Sequence, residues 1–318
     1  IISSPRPTVA AIETSLKKKA QDDYKMPDKE QVEKAKYILE DPDGLFYHFA
    51  VAGVTGTGKS SLINALRGCE DNNASAARVG IVETTMDIKR YPDRSSLFKK
   101  FVWYDVPGAG TQANRGWQYF NDNGLFVFDF IIICWKDRIS ETDMQILDQC
   151  EKFEIPTFLV RTNSETHIRN LKRDCKITEE EAIKKLIKDT CESVKKNLEA
   201  GNYNDPNKKV YIVDRYVLGE IVSTKMHYSN ITEDDLRETV DSVEGIIDEC
   251  NLLMDLLNTA KGEAKTEELK KELKKAQDAW FQGIPPDKIP DEEQVKKAKS
   301  MLKDPNGLFY HFAVAGYT

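Results

Sequence analysis

The segment Gly53-Val54-Thr55-Gly56-Thr57-Gly58-Lys59-Ser60 constrains this chain more than any other. It fits G-x-x-x-x-G-K-[ST], the pattern of a loop that cradles a polyphosphate. The residues before it, Leu45 to Ala52, read as a buried strand, and Ser61 to Arg67 read as the first turns of a helix. A strand, a glycine-rich turn and a helix N-terminus aim backbone N–H groups and the positive end of a helix dipole at one point. Gly53, Gly56 and Gly58 let the backbone approach phosphate without a Cβ in the way. Thr55, Thr57 and Ser61 complete the cradle. Lys59 supplies a cation for the terminal phosphate oxygens, and the Ser60 hydroxyl can ligate Mg²⁺. The bland alternative, a chance glycine-rich turn, does not explain the flanking strand and helix.

A second motif follows. Phe101-Val102-Trp103-Tyr104-Asp105 is an apolar run ending in a carboxylate, and Asp105-Val106-Pro107-Gly108 fits D-x-x-G. A strand-end Asp behind a phosphate loop holds Mg²⁺, and the Gly108 N–H can meet the terminal phosphate. Alone, D-x-x-G is a common strand-to-turn pattern. Between the two motifs lies Val79 to Met86. Thr85, with Thr84 as the fallback, is placed to close over the metal and phosphate, and Glu83 to orient an attacking water. The competing reading is a pair of ordinary edge-strand threonines. Ala109 stands where many small GTPases carry a water-positioning glutamine. Arg115, further on, is either an arginine finger or a solvated arginine.

These pieces together resemble the immunity-related GTPases, the interferon-inducible group of dynamin-like large GTPases. Gly53 to Arg67, Gly80 to Met86, Trp103 to Thr111, Phe128 to Ile133 and Phe158 to Thr162 occur in the family's order. The resemblance spans residues 45–216. It implies an α/β fold: a P-loop Ras-like G domain, a mostly parallel sheet with helices on both faces, carried with a small helical domain from both flanks. It implies GTP and GDP as ligands with Mg²⁺, hydrolysis stimulated by self-association, and work at membranes. It assigns hydrolysis to Glu83 and switch closure to Thr85, beside Lys59 and Gly108. It places the metal on Ser60, Thr85 and Asp105.

The base end departs from the family pattern. Guanine recognition normally rests on [NT]-K-x-D after an apolar strand. Here those positions read Thr162-Asn163-Ser164-Glu165. The lysine that stacks over the base has become Asn163, and the aspartate has become Glu165, one methylene longer. A later Ser-Asn pair is replaced at Val213-Asp214 or Asp214-Arg215. Thr162, Asn163, Glu165 and Asp214 are therefore the expected base-side contacts, with guanine preference resting on the resemblance.

Composition narrows the partners. A net charge of −7 in a chain with 31% charged residues argues against a general nucleic-acid binder. No apolar run reaches the length of a membrane span, and no charged-then-apolar signal segment opens the chain. Six cysteines without C-x-x-C pairs read as reduced thiols of a cytoplasmic protein, peripheral at membranes if the family likeness holds. The expected partners are a second copy of the chain and a membrane lipid.

The chain divides, on texture, into N-terminal helices of the helical domain (1–44), a G domain (45–216), a C-terminal helical region (217–283) and the start of a repeat (284–318). Strands are expected at Tyr47–Ala52, Thr85–Tyr91, Phe101–Asp105, Phe128–Trp135, Pro156–Arg161 and Lys209–Asp214. A strong helix is expected at Glu179–Glu199, with Ala182, Leu186, Ile187, Cys191, Val194 and Leu198 inward. Asp28 to Thr55 recurs as Asp291 to Thr318, identical at 21 of 28 positions. The reading is a longer protein with G domains in tandem, of which this piece holds one complete phosphate loop. Two rival functions stand beside GTP hydrolysis. Ala109 and the altered base motif also suit a nucleotide-binding scaffold with negligible turnover, and Asn163 with Glu165 suits a P-loop ATPase.

Overall fold

In the computed structural model, residues 26–35, 37–39, 41, 45–70, 75–78, 87–93, 100–109, 116–201, 203, 205–225, 243 and 245–259 are described. The chain forms two compact units, Arg6–Asp255 and Ile1–Pro5 with Leu256–Thr318, and the fold and site below lie in the first.

Helix α1 (Lys29–Ala35) precedes strand β1 (Tyr47–Ala52), helix α2 (Lys59–Leu66), β2 (Lys89–Pro92) and β3 (Phe101–Asp105). Then come α3 (Gly116–Asp122), a 3-10 turn (Leu125–Val127), β4 (Phe130–Trp135), α4 (Glu141–Lys152) and β5 (Thr157–Arg161). The remaining named elements are α5 (Ser164–Cys175), α6 (Glu179–Ala200), β6 (Val210–Ile212) and α7 (Arg215–Lys225). Residues 249–255 are also helical. The six strands make one sheet in the order β2-β3-β1-β4-β5-β6. Only β2 runs antiparallel, Lys89 facing Asp105. The other four pairings are parallel.

The parallel strands are apolar because helices cover both of their faces. β3 is buried throughout, as is all of β1 beyond Tyr47. On one face Phe49 stacks on Phe101 and Phe130 with ring centroids 4.7 and 4.6 Å apart. On the other, Ala50, Val102, Tyr104 and Ile131 join Phe120 of α3 and Leu147 of α4 in one cluster. Each Val, Leu, Ile or Phe among them, fully buried, contributes about 1.5–3 kcal/mol over leaving it exposed. Two of the helices start at capping boxes. Ser140 and Asp143 form a capping box before α4, and Thr178 and Glu181 form one before α6.

The strand expectations hold in number and order. β1 and β3 keep their expected bounds. β4 begins two residues later than expected, at Phe130. Asp129 is diverted there: its carboxylate accepts from the His48 N–H at 2.8 Å, and its own N–H donates to the His48 carbonyl at 3.1 Å. Within α6 the inward stripe is corrected. Ala182, Leu186, Thr190, Val194 and Leu198 are buried, whereas Ile187 is 37% exposed and Cys191 is exposed. Thr190 satisfies its hydroxyl locally, donating to the Leu186 carbonyl at 2.6 Å, so a polar residue sits on the core face at no unsatisfied cost. From the segment 1–44, Val32 and Ala35 pack into the sheet's own cluster. The second repeat copy, residues 260–283 of the expected C-terminal helical region, and Glu83, Thr84, Thr85 and Arg115 lie outside the described residues. No described helix is long and apolar enough to cross a membrane.

Candidate nucleotide site

The site forms where β1, β3, β4, β5 and β6 all end on one edge of the sheet. The chain leaves β1 at Ala52 and turns through Gly53 to Gly58 into α2. The turn uses backbone that side chains rarely adopt. Gly53 has φ +136° and Gly58 φ +87°, and a Cβ on Gly53 would lie 2.2 Å from the Cys134 carbonyl oxygen. Glycine is required at that position by close approach as well as by φ.

Neighbouring strand exits brace the turn. Past β3, the Ala109 N–H donates to the Gly53 carbonyl at 3.2 Å, and Val54 bridges Ala109. A Cβ on Gly108 would sit 2.7 Å from the Thr55 Cα, so the D-x-x-G turn lies directly against the loop. Past β5, the Thr162 hydroxyl donates to the Thr57 carbonyl at 2.7 Å. From β4, the Cys134 thiol donates to the same carbonyl at 3.3 Å, and burial pushes that thiol up to about 12. It stays a neutral packing group.

Lys59 is 7% exposed, and its Nζ donates to the carbonyls of Gly53 and Val54 at 3.2 Å each. The loop thus folds around its own cation. The Ser60 hydroxyl donates to Asp105 Oδ2 at 2.5 Å. Two hard oxygen donors from separate motifs meet at one point. Asp143, buried at the start of α4, lies close to the loop. Burial raises its carboxyl pKa, opposed by Ser140, the Val54 N–H and the Lys59 charge. Sequence reasoning missed Asp143, which reads as a helix cap and nothing more.

The base end is built differently. One pocket of about 420 Å³ is lined by Gly56, Thr57, Gly58 and Ser61 at the phosphate end and by Thr162, Asn163, Glu165 and Asp214 at the other. These residues were expected to share a site, and the structure brings them together. Asn163 has φ 64° and opens α5; asparagine tolerates that left-handed conformation. The Glu165 side chain is 60% exposed and 3.9 Å from Arg169. Asp214 is buried. Its Oδ1 accepts from the Tyr216 N–H at 2.9 Å, and its own N–H donates to Glu249 Oε1 at 2.7 Å. Glu249 Oε2 takes the Ile247 N–H at 2.7 Å. Burial pushes the Glu249 carboxyl up to about 7 against the pull of these donors. Arg215, Tyr216 and Lys136 also line the pocket. Neither Glu249 nor Tyr216 carries a motif, so no sequence pattern marks them. Among the described residues no cluster of three or more His, Cys, Asp or Glu could hold a metal ion.

A glycine-rich loop between a central parallel strand and a helix, with a strand-end Asp bonded to its Ser, defines a P-loop nucleotide-binding domain of the Ras-like type. Residues 14–214 match the family described as Interferon-inducible GTPase (IIGP), and the chain belongs to that family. Mouse (Mus musculus) T-cell-specific guanine nucleotide triphosphate-binding protein 2 is 34% identical over 155 residues, 48% of this chain and 37% of that protein. Interferon-inducible GTPase 5 of Rattus norvegicus is 30% identical over 187 residues, 56% of this chain and 38% of that protein. The chain thus spans 37% and 38% of the length of these two relatives. A solved bacterial selenocysteine-specific elongation factor, EF-Sec, aligns at 20% identity over 63% of this chain and 30% of that one. Its TM-score is 0.36.

Proposed function

We propose that this chain binds GTP with Mg²⁺ in the pocket between Gly56 and Asp214 and hydrolyses it to GDP and phosphate. The observation that carries the reading is the 2.5 Å contact between Ser60 and Asp105 beside the loop that encloses Lys59. Family membership supports guanine as the base.

The N–H groups of residues 56–60 and the Lys59 ammonium offer donors and positive charge to the β- and γ-phosphate oxygens. Ser60 and Asp105 are the residues that would hold Mg²⁺, an ion that keeps one or two protein oxygens and shares the phosphate oxygens. When bound, the ion neutralises charge that develops on those oxygens. In hydrolysis a water oxygen bonds to the γ-phosphorus as the bond from that phosphorus to the bridging oxygen breaks, leaving GDP and inorganic phosphate. Thr85 closes over this end and Glu83 orients the water. Ala109 is buried in its bridge to Val54 and presents no polar group to that water. With Ala109 leaving the water to Glu83 alone, turnover in a single copy is slow on this reading, and a second copy adds an arginine or a switch element in trans. Such help adds about 10³–10⁵ to the rate in related enzymes. The likeness to the family supports action of the assembled protein as a peripheral protein on membranes; co-sedimentation with vesicles checks this, and equal pelleting without lipid refutes it.

The test is phosphate release measured against protein concentration. Specific activity rises with concentration on this reading; a flat profile rejects self-activation. Competition between labelled GTP and ATP decides the base, and preference for ATP rejects the guanine assignment. The same Ala109 observation favours a second reading, a nucleotide-operated scaffold with negligible turnover. Multiple-turnover release of phosphate removes it.

A further inference from the structure

The pocket has lost the lysine that normally stacks on the base. Asn163 in its place is short and uncharged, and its Oδ1 accepts from the Thr166 hydroxyl at 3.2 Å. A flat cation stands on the facing strand exit instead. Arg215 opens α7 and lines the pocket. Its guanidinium carbon lies 4.4 Å from the centroid of the Tyr216 ring. Its Nη2 donates to the Tyr216 hydroxyl at 2.5 Å, and its Nη1 to the Ser61 hydroxyl at 3.4 Å. Ser61 follows the metal-side Ser60, so the plane is tied to both ends of the pocket.

The support beneath is fixed as well. The Tyr216 N–H is held by Asp214, whose own N–H is held by the fully buried Glu249. Tyr216 is 65% exposed, so the pair it forms with Arg215 sits at the solvent-facing side of the pocket. Purine rings stack on guanidinium planes and on aromatic faces, and a plane already held by an aromatic loses little freedom when it does so.

We propose that the purine base of the bound nucleotide stacks on the Arg215 guanidinium, with Tyr216 as the support of that plane, in place of the family's lysine at position 163. This rests on the reading that a guanine nucleotide occupies the pocket. It makes Arg215 the residue that holds the base, while Glu165 stands exposed at the rim.

The experiment compares Mg²⁺–GTP with tripolyphosphate, which has the phosphates and no base. Binding of each to the full chain is measured by calorimetry for wild type, Arg215→Lys, Arg215→Ala and Tyr216→Ala. Arg215→Lys keeps the charge and loses the plane. Both Arg215 variants are expected to weaken GTP about tenfold, the scale of one base stacked on one planar group. Tyr216→Ala is expected to weaken it about threefold. Tripolyphosphate affinity stays at the wild-type value in all three. Wild-type GTP affinity in Arg215→Lys overturns the proposal. Equal weakening of GTP and tripolyphosphate also overturns it, because Arg215 is then a phosphate cation. Wild-type protein that binds tripolyphosphate and not GTP rejects stacking but spares the phosphate loop. Binding of neither rejects the nucleotide reading itself. Circular dichroism checks that each variant is folded, and Tyr216→Ala, at an exposed position, serves if an Arg215 variant is not.

Discussion

The two ends of the pocket are made from different materials. The phosphate end is backbone: a loop at left-handed glycines, pressed against the exits of β3, β4 and β5, with its lysine folded inside. The base end is side chain: Asn163 and Arg215, half-buried, and Asp214, buried, are held by hydrogen bonds to their neighbours, and Glu165 stands exposed. A backbone cradle specifies its ligand by spacing and tolerates few replacements. A side-chain wall can exchange its members while the fold stays the same. That explains how the loop keeps the full motif while the base motif has changed.

Four substitutions break or sharpen this contrast. Gly53→Ala drives a Cβ to 2.2 Å of a backbone oxygen at φ +136°, and is expected to cost on the order of 4 kcal/mol. Thermal unfolding reads it; an unchanged midpoint means the loop is softer than described. Lys59→Ala removes the enclosed cation and is expected to weaken GTP at least ~100-fold, about 3 kcal/mol. Intact affinity in that variant removes Lys59 from the site.

Glu249→Gln tests the wall's support. The folded carboxyl is pushed up to about 7 and the unfolded one keeps the ordinary glutamate value of about 4.5, so the folded state binds more protons between them. Stability from this group is present below about pH 4.5 and is lost as pH rises through 7. The loss between pH 5 and pH 7 is about 2 kcal/mol. Chemical unfolding should show that decline in wild type and lack it in the glutamine variant; parallel pH profiles refute it. Smallest is Glu165→Gln. At 60% side-chain exposure it should change stability by no more than about 0.5 kcal/mol. A larger loss means that the base end is as rigid as the phosphate end.

Legibility in the sequence follows the same division. The loop, β1, β3 and the Asp105 turn were readable because buried parallel strands are unbroken apolar runs and glycine spacing is dictated by phosphate geometry. β2 was placed early, at Thr85–Tyr91, because an antiparallel edge strand of three half-buried residues and one exposed one has little pattern of its own. The inward stripe of α6 was misassigned at Ile187 and Cys191 because hydropathy favours them, whereas i, i+4 packing selected Thr190. The members of the base wall were named at Asn163, Glu165 and Asp214. Arg215 entered only as one alternative for the later Ser-Asn pair, and Tyr216 and Glu249 not at all, since stacking on a neighbour and a bond from 35 residues away leave no local signal.

The measurement that bears most directly on the central claim is calorimetric titration of GTP into the wild-type chain and into Ser60→Ala, each with Mg²⁺ and with the ion chelated. If the Ser60–Asp105 contact marks the metal position, Mg²⁺ tightens GTP binding to wild type and this gain disappears in Ser60→Ala. A Mg²⁺ gain of equal size in both proteins would contradict it.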